Sequence, residues 1–274
     1  MDVYGYITEF YQSANTQKRV IGKSLFGRNL YAIKCGEGSP VGISVYSIHG
    51  RERVVSYLAP THFKEGVTGS VWLIPLANPD GALLSERGLE SVPERKKAWF
   101  LKKFGEENLN LWKANGRGVD LNVNFDADWG KGVKNCLVAG GENYIGKRPF
   151  SEPETKAIKL FTEEIAPDYT VSWHTKGEEI YWYYFQALRV CSKDKRLAEV
   201  LSETTGYPLK EAKGSVGGYK DWCIQKRQIP AFTIETGSDE YTHPLGEDAL
   251  KEIEKKTRYA LKELSAAVKR ENGI

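Results

Sequence analysis

The stretch SVYSIHGRERVVSYL, Ser44 to Leu58, changes character in its middle. Gly42 to Ile48 reads as a strand too apolar to be half-exposed, which suits a central position covered on both faces. Arg53 to Lys64 reads as a helix. The same alternation recurs outward from this point. Strands are expected at Asn29 to Lys34, Ser70 to Pro75, Tyr169 to Trp173, Ile180 to Tyr184 and Ala231 to Ile234. Helices are expected at Val3 to Ser13, Pro93 to Phe104, Glu152 to Glu164, Asp194 to Thr205 and Glu247 to Arg270. The pattern predicts an α/β fold with a mostly parallel sheet between helical layers. No repeat, low-complexity tract or Pro/Ser-rich linker divides the chain, so one domain over residues 1–274 is expected. A charged segment from Ala82 to Asn115 and a glycine-rich one from Phe125 to Phe150 are expected to wall a cleft.

Composition narrows the function. The 274 residues carry 39 Lys+Arg against 36 Asp+Glu, a net charge of +3. That balance gives no basis for binding nucleic acid or an anionic membrane. Cysteines at 35, 136, 191 and 223 form no C-x-x-C pair and read as free thiols in a reducing compartment. The first residues have no basic segment followed by an apolar run, and no stretch approaches membrane-spanning length. The expectation is a soluble cytoplasmic protein with no nucleic-acid or membrane partner.

Histidine is scarce, with four at positions 49, 62, 174 and 243. His49 and Glu52 stand at His-x-x-Glu spacing immediately past a strand's carboxyl end, where open α/β sheets build their sites. His174 follows Tyr169 to Trp173 directly, and Glu235 follows the apolar run PAFTI. Two His and two Glu thus gather at three strand ends. Two His and one Glu with a water make a catalytic zinc set, and the second carboxylate is free to act as a base. His62, inside a helix, and His243, in a THP turn, read as structural.

The ordered motifs HGRE (49–52), NPDG (78–81), ANGRGVDLN (114–122), SWH (172–174), GGYKDW (217–222) and FTIETG (232–237) resemble those of the zinc metallocarboxypeptidases, the M14 family. HTKGEEIYWYY (174–184) and GGYKDW are similar to the bacterial branch that cleaves the γ-D-glutamyl to diaminopimelate bond of peptidoglycan stem peptides. The resemblance implies the carboxypeptidase fold and one zinc per chain, held by His49, Glu52 and His174. It implies that Glu235 is the general base, taking a proton from water and delivering it to the leaving amine. It further implies that Arg117 polarises the scissile carbonyl.

Two departures concern substrate grip. The family's Asn-Arg clamp for a C-terminal carboxylate reads Asn122-Val123 here, and valine cannot make a bidentate pair. Arg148 or Arg189 is a candidate replacement, and Lys147 and the ERKK run add positive charge. The family's substrate-covering tyrosine aligns with Lys213, leaving Tyr219 or Tyr207 to substitute. The resemblance implies a murein-type peptide as the substrate. A conventional carboxypeptidase with a displaced arginine and a catalytically silent zinc scaffold are the alternatives.

Overall fold

A computed structural model describes residues 1–211 and 214–274. Its strands are β1 (Lys18–Lys23), β2 (Asn29–Gly36), β3 (Val41–Tyr46), β4 (Ser70–Ile74), β5 (Tyr169–Thr175), β6 (Glu179–Tyr183), β7 (Leu209–Glu211) and β8 (Ala231–Thr236). They make one eight-stranded sheet in the order β1-β2-β4-β3-β5-β8-β6-β7. The centre, β4-β3-β5-β8, is parallel, and so is the β6-β7 pair. The remaining neighbours, β1-β2, β2-β4 and β8-β6, are antiparallel. The α-helices are α1 (Val3–Ser13), α2 (Leu58–Glu65), α3 (Pro79–Arg87), α4 (Glu94–Phe104), α5 (Pro153–Ile165), α6 (Leu188–Thr205), α7 (Tyr219–Arg227), α8 (Glu247–Thr257) and α9 (Ala260–Asn272).

Alternate residues of the central strands feed opposite faces. Tyr46, Val71, Leu73, Val171, Trp173 and Ile234 pack against α2, α6, α8 and α9. Ile43, Val45, Trp72, Ile74 and Ala231 pack the other way, against Ile158 and Phe161 of α5 and Trp222 and Ile224 of α7. Both faces are covered, which is why these strands read as continuous apolar runs.

Several elements differ from the expected ones. The helix expected from Arg53 begins as a 3-10 turn over Gly50–Tyr57, and α2 follows it. Glu52 sits at φ −93°, ψ 22°, the sparsely allowed bridge region that active-site residues often occupy. Helix α3 replaces the irregular segment expected after Ala82. Asn78 caps it by accepting from the Gly81 amide, and Pro79 occupies its first turn. Helix α7 begins within the GGYKDW motif, where no helix was expected. The helix expected over Glu247 to Arg270 is two. The Thr257 hydroxyl bonds back to the Ile253 carbonyl, and its own carbonyl is taken by His62, so the ladder breaks before Ala260. β1 and β7 escape a search for apolar runs because both are short, half-exposed pieces of sheet edge.

His62 is structural, as its position inside a helix suggests. It is 1% exposed, with Nε2 3.2 Å from the Thr257 carbonyl and Nδ1 2.7 Å from the Tyr46 hydroxyl. A carbonyl only accepts, so Nε2 carries the proton and Nδ1 accepts from Tyr46. Burial pushes the ring down to about 4 from its ordinary 6.5. The unfolded chain therefore binds the extra proton first. The contribution of His62 to stability is complete above pH 6.5 and is lost as pH falls towards 4, about 3 kcal/mol in all. Proton NMR of the imidazole C–H signals checks this. The His62 resonance should stay unshifted at pH 5.5, and titration near 6.5 would contradict the assignment.

Candidate metal centre and active site

The site forms where three strand ends meet a buried knot of backbone. Asn78, fully buried, donates from Nδ2 to the carbonyls of Ile48 (3.1 Å) and Ala114 (3.2 Å). The Gly50 amide donates to the Lys113 carbonyl at 2.9 Å. A Cβ on Gly50 would stand 2.4 Å from the Gly81 backbone, so no other residue fits there. The motifs HGRE, NPDG and KANG are thereby stitched together, and His49 emerges at a fixed angle.

His49, Glu52 and His174 are all buried, and one ligand atom from each lies within 4.8 Å of the others. His49 Nδ1 is 2.8 Å from Glu52 Oε1, and His174 Nδ1 is 3.0 Å from Glu52 Oε2 and 3.2 Å from His49 Nδ1. Two imidazole nitrogens and a carboxylate that converge in this way fit a divalent cation of zinc's preference. Burial opposes charge on Glu52, yet the two histidines outweigh it and hold the carboxyl well below its usual range.

Behind His49 lies a pair that the motif reading passed over. Asp120 Oδ1 is 3.2 Å from His49 Nε2, and its Oδ2 is 2.8 Å from Lys113 Nζ. Burial works against the Asp120 charge, but Lys113 and then His49 hold it well below the ordinary carboxylate range. A carboxylate on Nε2 places the proton there and leaves Nδ1 free to ligate. Asp120 stands in the motif ANGRGVDLN, whose glycines and buried aspartate were the available signal. Lys113 offered none, because no spacing rule reaches the turn that brings it to Asp120.

Glu235 on β8 is in register with His174 on β5, side by side in the sheet. Burial pushes it up to about 7; His174 opposes the shift and Glu52 adds to it. Its Oε2 is buried and meets no hydrogen-bond partner. A carboxyl so placed can exchange a proton near neutral pH.

Two cavities meet at Glu235 and Asn122. The larger, about 640 Å³, holds His49 and the cations Arg51, Lys113 and Lys134, with Val123 in its wall. The smaller, about 240 Å³, extends from Glu235 to Lys220 and Asp221. The glycine-rich segment contributes Val133, Asn135 and Asn143 to the larger cavity, as expected of a cleft wall.

Several expected residues lie elsewhere. Arg117 is 45% exposed, and its Nε sits 3.6 Å from the buried Glu152 carboxylate. It lines neither cavity, so the geometry does not fit it to the scissile carbonyl; Lys113 lines the larger cavity together with Glu235. Tyr219 is a core residue. Its hydroxyl is 2.9 Å from that of Thr162 and its ring packs on Phe125. Tyr207 is likewise buried in the core, and Tyr181 lines the smaller cavity instead. Lys147 and Arg148 are exposed outside the cleft, and Arg189 lines a separate cavity with Asp194. Lys213 lies outside the described residues.

Comparison with known proteins gives the family. The γ-D-glutamyl-L-diamino acid endopeptidase 1 of Lysinibacillus sphaericus is 34% identical over 176 residues, 64% of this chain and 44% of that protein. Murein peptide amidase A of Escherichia coli K12 is 29% identical over 147 residues, 47% of this chain and 56% of that one. The chain spans about half the length of these two relatives. The structure of bovine thrombin-activatable fibrinolysis inhibitor with tick carboxypeptidase inhibitor superposes with a TM-score of 0.79 at 18% identity, covering 99% of this chain and 98% of that one, which shows a shared fold. Residues 6–260 match the zinc carboxypeptidase family, Peptidase M14, and the chain belongs to that family of zinc metallopeptidases.

Proposed function

We propose that this chain hydrolyses the γ-D-glutamyl to diaminopimelate amide of peptidoglycan-type peptides, with one zinc ion held by His49, Glu52 and His174. The observation that carries the reading is the meeting of two charged cavities at the unbonded carboxyl of Glu235, with an apolar residue, Val123, where an α-carboxylate clamp is expected. The named activities of the two bacterial relatives support the same substrate class.

Zinc in this position supplies Lewis acidity, which polarises the amide carbonyl and lowers the pKa of water to about 7. The chain's own residues do the rest. Glu235 takes the proton of the attacking water and delivers it to the departing amine, since its carboxyl stands beside His174 in the sheet with Oε2 free of any hydrogen-bond partner. Lys113 places a positive charge in the cavity wall beside Glu235, where negative charge develops on the carbonyl oxygen. Asp120 holds the His49 ring with Nε2 protonated and shares its own charge with Lys113. The D-glutamyl residue carries a free α-carboxylate, and Arg51 and Lys134 line the cavity on its side of the bond. A substrate gripped on its acyl side has less need of an arginine at position 123.

No helix among the described residues is long and apolar enough to cross a membrane. Nothing in the reading depends on location.

A substrate panel tests the assignment. Zinc-loaded protein should cleave γ-D-glutamyl-diaminopimelate peptides with kcat/KM at least about tenfold above C-terminally free α-peptides. The reverse order would favour a conventional carboxypeptidase. Glu235→Gln should lower kcat roughly 100- to 10,000-fold with zinc content unchanged. Full activity in that variant would remove the base from the scheme. Asp120→Asn should weaken zinc binding about 10- to 100-fold in competition with a chelator, because the His49 ring loses its partner. Unchanged affinity would show that Asp120 does not orient the ring.

A further inference from the structure

A second buried cluster of carboxyls lies behind the active site and takes no part in the mechanism above. Asp80, Glu152 and Glu154, at 0%, 1% and 0% exposure, gather where the starts of α3 and α5 meet the loop after β1 and the turn at Asn115. Asp80 pairs with Arg28 at 2.6 Å and accepts the Ser24 hydroxyl and the Phe26 amide, each at 2.7 Å. Glu152 accepts the Ser151 hydroxyl at 2.8 Å and has the Arg117 guanidinium 3.6 Å away. Glu154 forms no ion pair among the described residues. Its Oε1 accepts the Leu25 amide at 3.0 Å and its Oε2 accepts from Asn115 Nδ2 at 3.1 Å, while Lys96 reaches only the Leu25 carbonyl.

Three buried carboxyls thus share two guanidinium groups. A carboxylate taken out of water without a cation is too costly to keep, so the unpaired one is held as the acid. An acid retains lone pairs on both oxygens, and the bonds from Leu25 and Asn115 survive protonation. Burial, then Asp80 and with it Glu152, push the Glu154 carboxyl up to about 8 against the pull of the Leu25 amide.

What this acid touches is the turn behind His49. Asn115 Nδ2 donates to Glu152 Oε2 at 2.9 Å as well as to Glu154. Asn115 Oδ1 accepts the Arg117 and Val119 amides at 3.0 and 3.1 Å, and the Asn115 carbonyl accepts the Gly118 amide at 3.0 Å and Trp112 Nε1 at 3.1 Å. Lys113 enters this turn and Asp120 leaves it, and that pair fixes the His49 ring. Two carboxylates on one amide group repel each other in a medium of low dielectric, whereas a carboxylate and an acid do not. Ionised Glu154 would set a third negative charge beside two arginines, and the shared Asn115 side chain is the contact that gives way.

We propose that Glu154 is a positioning residue: while it keeps its proton it holds Asn115, and through it the Lys113 to Asp120 turn that orients His49, and its ionisation loosens that turn. Alkaline solution then weakens the metal centre without titrating any of the ligands. This role is independent of the substrate.

Carbon NMR of the zinc-loaded protein labelled at its glutamate carboxyls, with Glu154 assigned by through-bond correlation, reads the proton directly. Glu154 should titrate near pH 8, and the Trp112 indole N–H, which reports on the Asn115 carbonyl, should shift with the same midpoint. In Glu154→Gln the side chain is neutral at every pH, so the indole signal should stay fixed through that range. In competition with a chelator, wild-type and Glu154→Gln proteins should hold zinc within about twofold of each other at pH 7, and the wild type should fall roughly fivefold below the variant at pH 9. Titration of Glu154 near its ordinary 4.5, or a wild-type indole signal that ignores its ionisation, would overturn the proposal whether or not Glu154→Gln folds. Equal zinc affinity of the two folded proteins at pH 9 would overturn it as well.

Discussion

Three ionisable groups, His49, Glu52 and His174, are buried against one another at the carboxyl edge of the sheet, and much of the surrounding architecture serves to make that tolerable. A buried carboxylate or imidazolium without partners costs several kcal/mol, a large fraction of the stability of any domain. Here each group is the partner of the others, and an outer set extends the compensation. Asp120 faces His49, Lys113 faces Asp120, and Thr236 donates to the His174 carbonyl. The parallel register of β3, β5 and β8 brings the strand ends together, and the Asn78 knot prevents the loops that follow from drifting. A divalent cation would give the three donor atoms a common partner.

Chemistry and specificity occupy different parts of the cleft. The sheet edge supplies the metal ligands and Glu235, all on rigid elements with little freedom to move. The charged residues that line the two cavities stand on loops and helix starts instead: Arg51 and Lys134 in the larger, Lys220 and Asp221 in the smaller. This division allows one catalytic centre to serve different amides by changing side chains that lie outside it. Val123 lies in the wall of the larger cavity, apart from the converging His49, Glu52 and His174.

The strand ends were legible because their signals are local. His49, His174 and Glu235 each directly follow an apolar run, Glu52 stands three residues past His49, and the sheet order does the rest. Arg117 and Tyr219 illustrate the opposite case. Both stand inside motifs, but a motif does not say which way a side chain points. Arg117 turns outward to satisfy Glu152, and Tyr219 turns inward to fill the space beside Phe125 and Trp222. Lys113 and Asp120, seven residues apart, are brought together by a turn whose geometry no spacing rule reaches. The missed helices α3 and α7 had readable starts, Asn-Pro in one and Gly followed three residues later by Asp in the other, yet neither has the long apolar stripe by which helices are usually found.

Zinc K-edge absorption spectroscopy on protein loaded with one equivalent of the metal tests the central claim most directly. The account predicts a light-atom shell at about 2.0–2.2 Å with the scattering of two imidazoles, and loss of half that imidazole signal in His174→Ala. Sulfur scattering at about 2.3 Å, or a two-imidazole signal that survives His174→Ala unchanged, would contradict it.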